Sequence, residues 1–315
     1  MHDVIVIGAG PAGLAAATYT LQHHLKTLMI APDLAGKSAY RLHLPWLTER
    51  EYICGEETVG ELRRQLLVSP DVKRYLDSVE QVFMHDHAFQ VITAEGDAAR
   101  GRSLIVATGV HPRALGVPGE QRLRGYGVSY SATSHAPLFA GRSVVVIGSD
   151  LRALRAVADL LPISAHTTLI AADPSMLHTH PLGQQLAQSE RITALAGWNV
   201  SEILGEQYVS GVIAVAPDGQ VQEIPTDGVF IEHGLDAPTD YLGALVARSD
   251  TGQIIVDECG ATNCAGLFAA GDITNSAHAE HILIALGEGT KAGVSACAYL
   301  REGSGWLDER SYTVG

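Results

Sequence analysis

The amino-acid sequence predicts an α/β protein built on two Rossmann-like dinucleotide-binding motifs, at residues 4–13 and 144–153. Each motif is an apolar, β-branched strand that runs into a tight turn and then into a helix. Such strands are typical of parallel sheets that are buried on both faces. The first motif keeps all three glycines, whereas the second keeps only the first of them. This contrast predicts one firmly bound dinucleotide and an altered second site.

The first motif has the residue pattern of a dinucleotide-binding turn. Three glycines with G-x-G-x-x-G spacing follow the strand at residues 4–7. The first glycine permits the turn, the second lets the backbone approach a pyrophosphate, and the third lets the helix pack on the sheet. A helix to about His24 and a second strand at residues 27–30 complete the βαβ spacing. The predicted contacts are Gly8, Gly10, Pro11, Ala12 and Gly13.

The acid expected after the second strand, as a ligand for a ribose, is replaced by Ala31. Asp33 is the nearest substitute, and it is either a displaced ribose ligand or a turn residue.

Two later segments indicate that the dinucleotide is a flavin. A strand at residues 104–106 leads into an Ala-Thr-Gly turn, and a strand starting at Gly266 ends in Gly-Asp. An Asp at a strand end can hold a ribityl or ribose hydroxyl, and a helix N-terminus supports negative charge on a ring. Residues 285–289 are expected to open that helix. The predicted flavin contacts here are Ala107, Thr108, Gly109, Gly271, Asp272, His281 and Ile282.

Together these motifs resemble the low-molecular-weight thioredoxin reductase family of FAD enzymes over nearly all 315 residues. The resemblance implies two Rossmann-like domains, the second inserted in a discontinuous first one, and a homodimer. The expected FAD-binding domain comprises residues 1–116 and 241–315, and the inserted NADPH-domain homologue comprises 117–240. The other segments that carry the resemblance are residues 115–119, 127–130, 234–239 and 268–272.

The departures from the family pattern concern electron transfer. The resemblance places a Cys-x-x-Cys disulfide at Ser131 and Ser134 and an acidic proton donor at His135. Hydroxyl groups cannot carry the two electrons that a disulfide carries. Asp150 occupies the second-glycine position of the second motif, where its charge opposes a pyrophosphate. No Lys or Arg lies between Ala156 and Glu190 to bind a 2′-phosphate.

These losses resemble a branch of the family that does not use pyridine nucleotides. It includes ferredoxin-dependent thioredoxin reductases and diflavin-linked disulfide oxidoreductases, so a second flavin beside FAD is one expectation. In the same comparison, Lys37 lies where relatives contact the flavin, as a donor to a carbonyl or phosphate, and Tyr40 could stack on a ring. Trp306 or Tyr312 covers the flavin of a partner protomer, or else belongs to a frayed tail.

The remaining cysteines and histidines offer further candidates. Cys259 and Cys264 form either a relocated redox disulfide or two unrelated thiols. His135 and His281 are predicted flavin-proximal donors, since imidazole titrates near neutral pH. Histidine pairs such as His178 and His180 lack third and fourth ligands with convincing spacing, so no metal site is predicted.

Composition limits the possible partners and compartments. A net charge of −14 gives no overall attraction to nucleic acid or to an anionic membrane. No apolar run approaches the roughly 18 residues of a membrane-spanning helix. The first strand leaves no room for a signal peptide, and four scattered cysteines favour the reducing cytoplasm.

Three functional hypotheses follow. The first is an FAD-dependent oxidoreductase that exchanges electrons with a ferredoxin-like or flavin donor and a disulfide, such as that of a thioredoxin-like protein. The second is a catalytically silent FAD-binding sensor or scaffold. The third is a ferredoxin-dependent thioredoxin reductase in which the cysteines at Ser131 and Ser134 were replaced.

Overall fold

The computed structural model describes residues 1–34, 36–47, 55–69, 72–276 and 280–302. It divides into two compact units. The first comprises Met1–Ala39, Cys54–His111 and Ala237–Gly315, and the second comprises Tyr40–Ile53 and Pro112–Asp236.

The N-terminal part of the chain alternates strands and helices before it ends in an antiparallel hairpin. Its elements are β1 (His2–Ile7), α1 (Pro11–Gln22), β2 (Thr27–Ile30), α2 (Glu56–Val68), β3 (Val72–Tyr75), β4 (Val79–His85), β5 (Ala88–Thr93) and β6 (Ala98–Val106).

The middle of the chain contains a second α/β arrangement followed by a three-stranded meander. Its strands are β7 (His111–Pro112), β8 (Val128–Ser129), β9 (Ser143–Ile147), β10 (His166–Ala171), β11 (Ile192–Ala196), β12 (Asn199–Leu204), β13 (Gly211–Val215), β14 (Val221–Pro225), β15 (Gly228–Ile231) and β16 (Leu235–Asp236). Its helices are α3 (Glu120–Leu123), α4 (Ala132–His135), α5 (Leu151–Leu160), α6 (Ser175–Thr179) and α7 (Pro181–Leu186). The chain then returns to the first unit with β17 (Leu267–Ala269) and α8 (Ile282–Glu302).

The first unit is built on one sheet with the strand order β3-β2-β1-β6-β5-β4. Strands β1, β2, β3 and β6 are parallel, and β17 pairs in parallel with the carboxyl half of β6. The carboxyl ends of β1, β6 and β17 therefore meet at one edge. Helices α1 and α8 pack on one face, where Gly289 approaches so closely that an added Cβ would lie 2.0 Å from the carbonyl oxygen of Ala12.

The second unit has a five-stranded sheet with the order β11-β10-β9-β15-β8, whose strand pairs are all parallel. The antiparallel strands β12, β13 and β14 form a separate sheet. Helix α5 packs with β9 and β10 in an apolar core that includes Phe139, Val157 and Phe230. The parallel sheet with its strand–turn–helix at β9 and α5 is the Rossmann-like arrangement that the second motif predicts.

The two units differ from the predicted domain boundaries at three places. Residues 40–53 group with the second unit, although the sequence assigned them to the first. The chain crosses between units at His111/Pro112 and at Asp236/Ala237, a few residues before the predicted boundaries at 116/117 and 240/241. Among the described helices, none is long and apolar enough to cross a membrane.

Candidate functional site

The first glycine turn has the close packing that its sequence predicts. Gly8 has a positive φ of +102°, and a Cβ added there would lie 2.3 Å from the carbonyl oxygen of Ala107. A Cβ added at Gly13 would lie 1.9 Å from the carbonyl oxygen of Gly8. Both positions therefore exclude any side chain, and the turn joins β1, α1 and the end of β6 into one rigid edge.

Gly10 differs from these glycines because the space above it is open. A Cβ added at Gly10 would meet nothing within 4 Å. Gly10 is also the N-cap of α1, which has no side-chain cap, and Pro11 is its first residue. The first amides of α1 therefore point into open space with the positive end of the helix dipole, as an anion site requires.

The end of β17 contributes to the same edge of the sheet. Gly271 has a φ of +79°, and its N–H donates to the carboxylate of Glu288 at 2.8 Å. Asp272 follows directly, with a side chain that is 13% exposed. Helix α8 begins at Ile282, three residues earlier than predicted, because Nδ1 of His281 accepts the N–H of Leu283 at 3.2 Å and caps the helix. The neutral His281 ring then carries its proton on Nε2, which can donate to a ligand.

Lys37 lies in a short 3₁₀ helix at Gly36–Ala39 and bridges two carboxylates. Its Nζ is 2.6 Å from Oδ2 of Asp272 and 2.6 Å from Oε2 of Glu280. Lys37, which was predicted to donate to the flavin, therefore forms an ion pair with Asp272, which was predicted to hold a ribityl or ribose hydroxyl. Asp33 accepts the N–H of Gly36 at 2.7 Å. It therefore stabilises a turn, which is one of the two roles predicted for it.

The other predicted flavin contacts lie in the same unit. Ala107 and Gly109 (φ +66°) form the turn after β6, with Thr108 half-buried between them. The side chain of Ile282 packs against Gly55, where an added Cβ would lie 2.7 Å from Cγ2 of Ile282. Ile282 therefore packs the start of α8 against the residue that precedes α2.

The second glycine turn is organised differently from the first. Asp150 is the N-cap of α5, and its Oδ1 accepts the N–H of Ala153 at 3.2 Å. The carboxylate therefore occupies the helix N-terminus at which a pyrophosphate would bind. After β10, the amide of Asp173 donates to Ser149 at 3.0 Å, and the Asp173 carboxylate accepts from Ser175. Two acidic residues thus lie at the nucleotide edge of this unit.

A buried ion pair lies beside this turn. Glu232 follows β15 with a side chain that is 2% exposed, and Oε2 pairs with Nε of Arg152 in α5. Its Oε1 accepts the N–H of Ala132, the first residue of α4, at 2.8 Å. Arg152 also donates to the carbonyl oxygen of Tyr130 at 2.8 Å. Burial raises the pKa of Glu232 to about 7, although Arg152 opposes the shift.

The Ser-x-x-Ser segment lies at the start of helix α4, where Ser131 is the N-cap. Oγ of Ser131 accepts the N–H of Ser134 at 3.3 Å. His135 is 5% exposed, and a hydrogen bond of 2.9 Å joins its Nδ1 to the hydroxyl of Ser129. Burial lowers the pKa of His135 to about 4, so the ring is neutral near pH 7.

Tyr40, predicted to stack on a ring, belongs to the second unit. Its ring centroid lies 5.9 Å from that of His135 and 5.3 Å from Cζ of Arg124. Arg124 is also 5.3 Å from the ring of Tyr130, so its guanidinium contacts both phenols. The hydroxyl of Tyr40 donates to the carbonyl oxygen of Val128 at 2.8 Å, and burial raises its pKa to about 12.

The predicted cysteine pair is not a disulfide in the structure. Cys259 and Cys264 are both free, the former exposed and the latter half-buried against an apolar cluster. Burial raises the pKa of Cys264, which disfavours its thiolate. Within the described ranges, no three His, Cys, Asp or Glu side chains group as metal ligands. Trp306 and Tyr312 lie outside the described residues.

Sequence reasoning missed several polar residues at these sites. Glu232 and Arg152 are 80 positions apart in the chain and carry no motif, and Glu288 appears only as one residue of a helix. Glu280 lies in no motif that names a partner for it. The one sequence signal for this ion pair is a charged residue, Glu232, directly after the apolar strand at residues 228–231.

The fold and the glycine turns define a two-unit dinucleotide-binding flavoprotein architecture. The chain belongs to the pyridine nucleotide-disulphide oxidoreductase family, whose pattern matches residues 2–289. The predicted α/β fold and the predicted oxidoreductase family are thereby confirmed. The family comparison does not show independence from NADPH, a ferredoxin-like partner or a second flavin.

Two curated relatives illustrate the similarity in sequence. The chain is 32% identical over 305 residues to an NADH dehydrogenase of Bacillus subtilis, covering 95% of this chain and 58% of that protein. It is 31% identical over 308 residues to an alkyl hydroperoxide reductase protein of Escherichia coli, covering 95% and 58%. The chain therefore spans little more than half the length of these relatives.

Two solved structures illustrate the similarity in fold. The thioredoxin reductase of Streptococcus pyogenes superposes with a TM-score of 0.85 at 26% identity, covering 96% of this chain and 99% of that one. The thioredoxin reductase of T. acidophilum gives a TM-score of 0.63 at 28% identity, covering 96% and 98%. The predicted thioredoxin reductase-like fold is confirmed by these structures.

Proposed function

We propose that this chain is an FAD-dependent oxidoreductase that receives electrons from a ferredoxin-like or flavin donor rather than from NADPH, and passes them to a disulfide. The single observation that carries the proposal is the contrast between the two helix N-termini. Helix α1 begins at an uncapped glycine with open space above it, whereas α5 is capped by the carboxylate of Asp150.

The residues of the first unit fit FAD. The open face of Gly10 and the free amides of α1 suit its pyrophosphate, and Asp272 suits a ribityl or ribose hydroxyl. His281 can donate from Nε2 near the start of α8. FAD would supply reversible two-electron chemistry, while the chain would bind it, orient it and tune its electrostatic surroundings.

The second unit lacks the features that NADPH needs. The Asp150 carboxylate repels a pyrophosphate at short range and already satisfies an amide that a phosphate would use. No Lys or Arg in residues 156–190 offers a cation for the 2′-phosphate, and Asp173 adds a second negative charge. These features support the proposal that NADPH is not the donor.

The proposed electron acceptor and binding partners come from the resemblance to thioredoxin reductases. Reduction of a disulfide to two thiols consumes two electrons and two protons, which the reduced flavin and solvent supply. Ser131 and Ser134 cannot form such a disulfide, and Cys259 and Cys264 are free, so the proposed acceptor is a disulfide on a thioredoxin-like partner. A homodimer and a second bound flavin complete this proposal.

Anaerobic titration of the FAD-loaded protein tests the choice of donor. We expect NADPH at micromolar concentration to leave the wild-type flavin oxidised, while dithionite bleaches it. Asp150→Gly removes both charge and side chain, and we expect it to bind NADPH about tenfold more tightly. Asp150→Asn is the matched control, because it keeps the cap and the bulk but not the charge. Bleaching of the wild-type flavin by micromolar NADPH would refute the proposal.

A catalytically silent FAD-binding scaffold is the second candidate. It is favoured by the capping role of the Ser131 hydroxyl and by the half-buried, high-pKa thiol of Cys264. Stopped-flow reoxidation of the photoreduced protein separates the two candidates. An oxidoreductase reoxidises faster as a disulfide or quinone acceptor is added, whereas a scaffold reoxidises only slowly with oxygen.

A further inference from the structure

Three charged side chains of the first unit form a cluster that neither glycine turn explains. The Nζ of Lys37 lies 2.6 Å from Asp272 and 2.6 Å from Glu280. The two carboxylate side chains are each 13% exposed, and the Lys37 side chain is 42% exposed. Because the carboxylates are largely shielded from water, their charges are screened less than surface charges are.

The cluster lies next to the open glycine of the first turn. A Cβ added at Gly36, the residue before Lys37, would lie 3.1 Å from the Cα of Gly10. Asp272 follows β17, whose carboxyl end shares an edge with those of β1 and β6. Glu280 directly precedes the capped start of α8. All three charges are therefore placed around the site at which an anionic dinucleotide would bind.

Lys37 is a cation that faces two carboxylates beside a site for a pyrophosphate. An ammonium group has three N–H donors, and the two carboxylates account for two of them. The third donor can bind a phosphate oxygen. Lys37 thus acts on a bound anion in two ways, by attracting it and by neutralising two groups that repel it.

We propose that Lys37, Asp272 and Glu280 form a charge-balancing cluster that sets the affinity of the first site for FAD, with Lys37 favouring and Glu280 opposing the bound cofactor. This inference rests on the proposed function, because it takes FAD as the ligand. It adds that Glu280 is a site residue whose charge weakens binding. Lys37 and Glu280 are coupled, so neither has its full effect without the other.

A double-mutant cycle on FAD affinity measures this coupling. The apo-protein is titrated with FAD, and quenching of flavin fluorescence gives the Kd for wild type, Lys37→Met, Glu280→Gln and the double variant. We expect Lys37→Met to weaken binding about tenfold or more and Glu280→Gln to tighten it severalfold. In the double variant the penalty of Lys37→Met should shrink to a few-fold, because one repelling carboxylate is gone.

Controls separate charge effects from unfolding. Lys37→Arg keeps the cation and should stay within about threefold of wild type. Lys26→Met and Glu57→Gln alter exposed charges elsewhere in the same unit and should leave the Kd unchanged. The flavin midpoint potential gives an independent readout. It should fall in Lys37→Met and rise in Glu280→Gln, because negative charge disfavours the reduced, anionic flavin.

The outcomes distinguish this inference from the proposed function. If wild type binds FAD and Lys37→Met binds equally well, or if the two substitutions act additively, the cluster does not set the affinity. If wild type binds FAD but is bleached by NADPH, the proposed donor is wrong while the cycle still decides the cluster. If folded wild type binds no FAD, both proposals fail.

Discussion

Burial of His135 predicts a loss of stability in mild acid. The ring is 5% exposed, its Nδ1 is hydrogen-bonded to Ser129 at 2.9 Å, and the neutral phenol of Tyr40 lies beside it. Desolvation of the ring is the cause of its shift, and it lowers the pKa of His135 to about 4. An exposed histidine has a pKa near 6.5.

The difference in the pKa of His135 between the folded and unfolded chain makes the folding stability depend on pH. Between pH 6.5 and about 4 the unfolded chain binds a proton at His135 and the folded chain does not. The stabilisation is therefore fully present above pH 6.5 and is lost as the pH falls through about 4. At about 1.36 kcal/mol for each tenfold change in proton affinity, the full effect is about 3 kcal/mol.

Urea unfolding of wild type and His135→Gln at a series of pH values between 7 and 4 measures this effect. Glutamine can hydrogen-bond but does not titrate, so the difference between the two proteins should shrink by about 3 kcal/mol toward pH 4. His233→Gln, at an exposed position, is the control and should leave the slope unchanged. Parallel pH profiles for wild type and His135→Gln would refute the burial argument.

Two further predictions concern groups that the fold shields. Arg152→Met leaves the Glu232 carboxylate buried without its cation, and it should lower the free energy of unfolding in urea by about 3–5 kcal/mol. The double variant Arg152→Met/Glu232→Met should recover most of that loss. A loss below about 1 kcal/mol in the single variant would contradict a stabilising role of Arg152 beside Glu232. Iodoacetamide should alkylate exposed Cys259 faster than Cys264, whose pKa is raised by burial. Equal rates would contradict the difference in burial, and blocked thiols that dithiothreitol releases would show a disulfide.

The backbone of the first site was predictable because it depends on local rules. A β-branched run, three glycines and a proline determine a strand, a turn and a helix start over little more than ten residues. The structure reproduces β2 at Thr27–Ile30 and starts α1 at Pro11. The start of α8 was misplaced because histidine is not among the usual capping residues, so His281 gave no signal.

The side-chain partners of that site were not predictable in the same way. Lys37 and Glu280 are separated by 243 positions, and only the parallel pairing of β17 with β6 brings their segments together. A sequence pattern reports that a lysine follows a glycine turn, but it does not report which carboxylate the ammonium will meet. The same reason hid the contact between Glu232 and Arg152, which depends on the order of β9 and β15.

The N-termini of α1 and α5 follow similar strand–turn motifs but differ in what binds to their amides. At α1 a glycine leaves the amides open to an external anion, whereas at α5 the chain supplies its own anion through Asp150. Replacing that aspartate by glycine should change stability by only a few tenths of a kcal/mol, because glycine is itself an acceptable N-cap. Removing Arg152 is far more costly, because it leaves the buried Glu232 carboxylate without its cation. Opening the α5 turn to a phosphate is therefore energetically easy, whereas clearing the space beside it requires both members of the ion pair to change together.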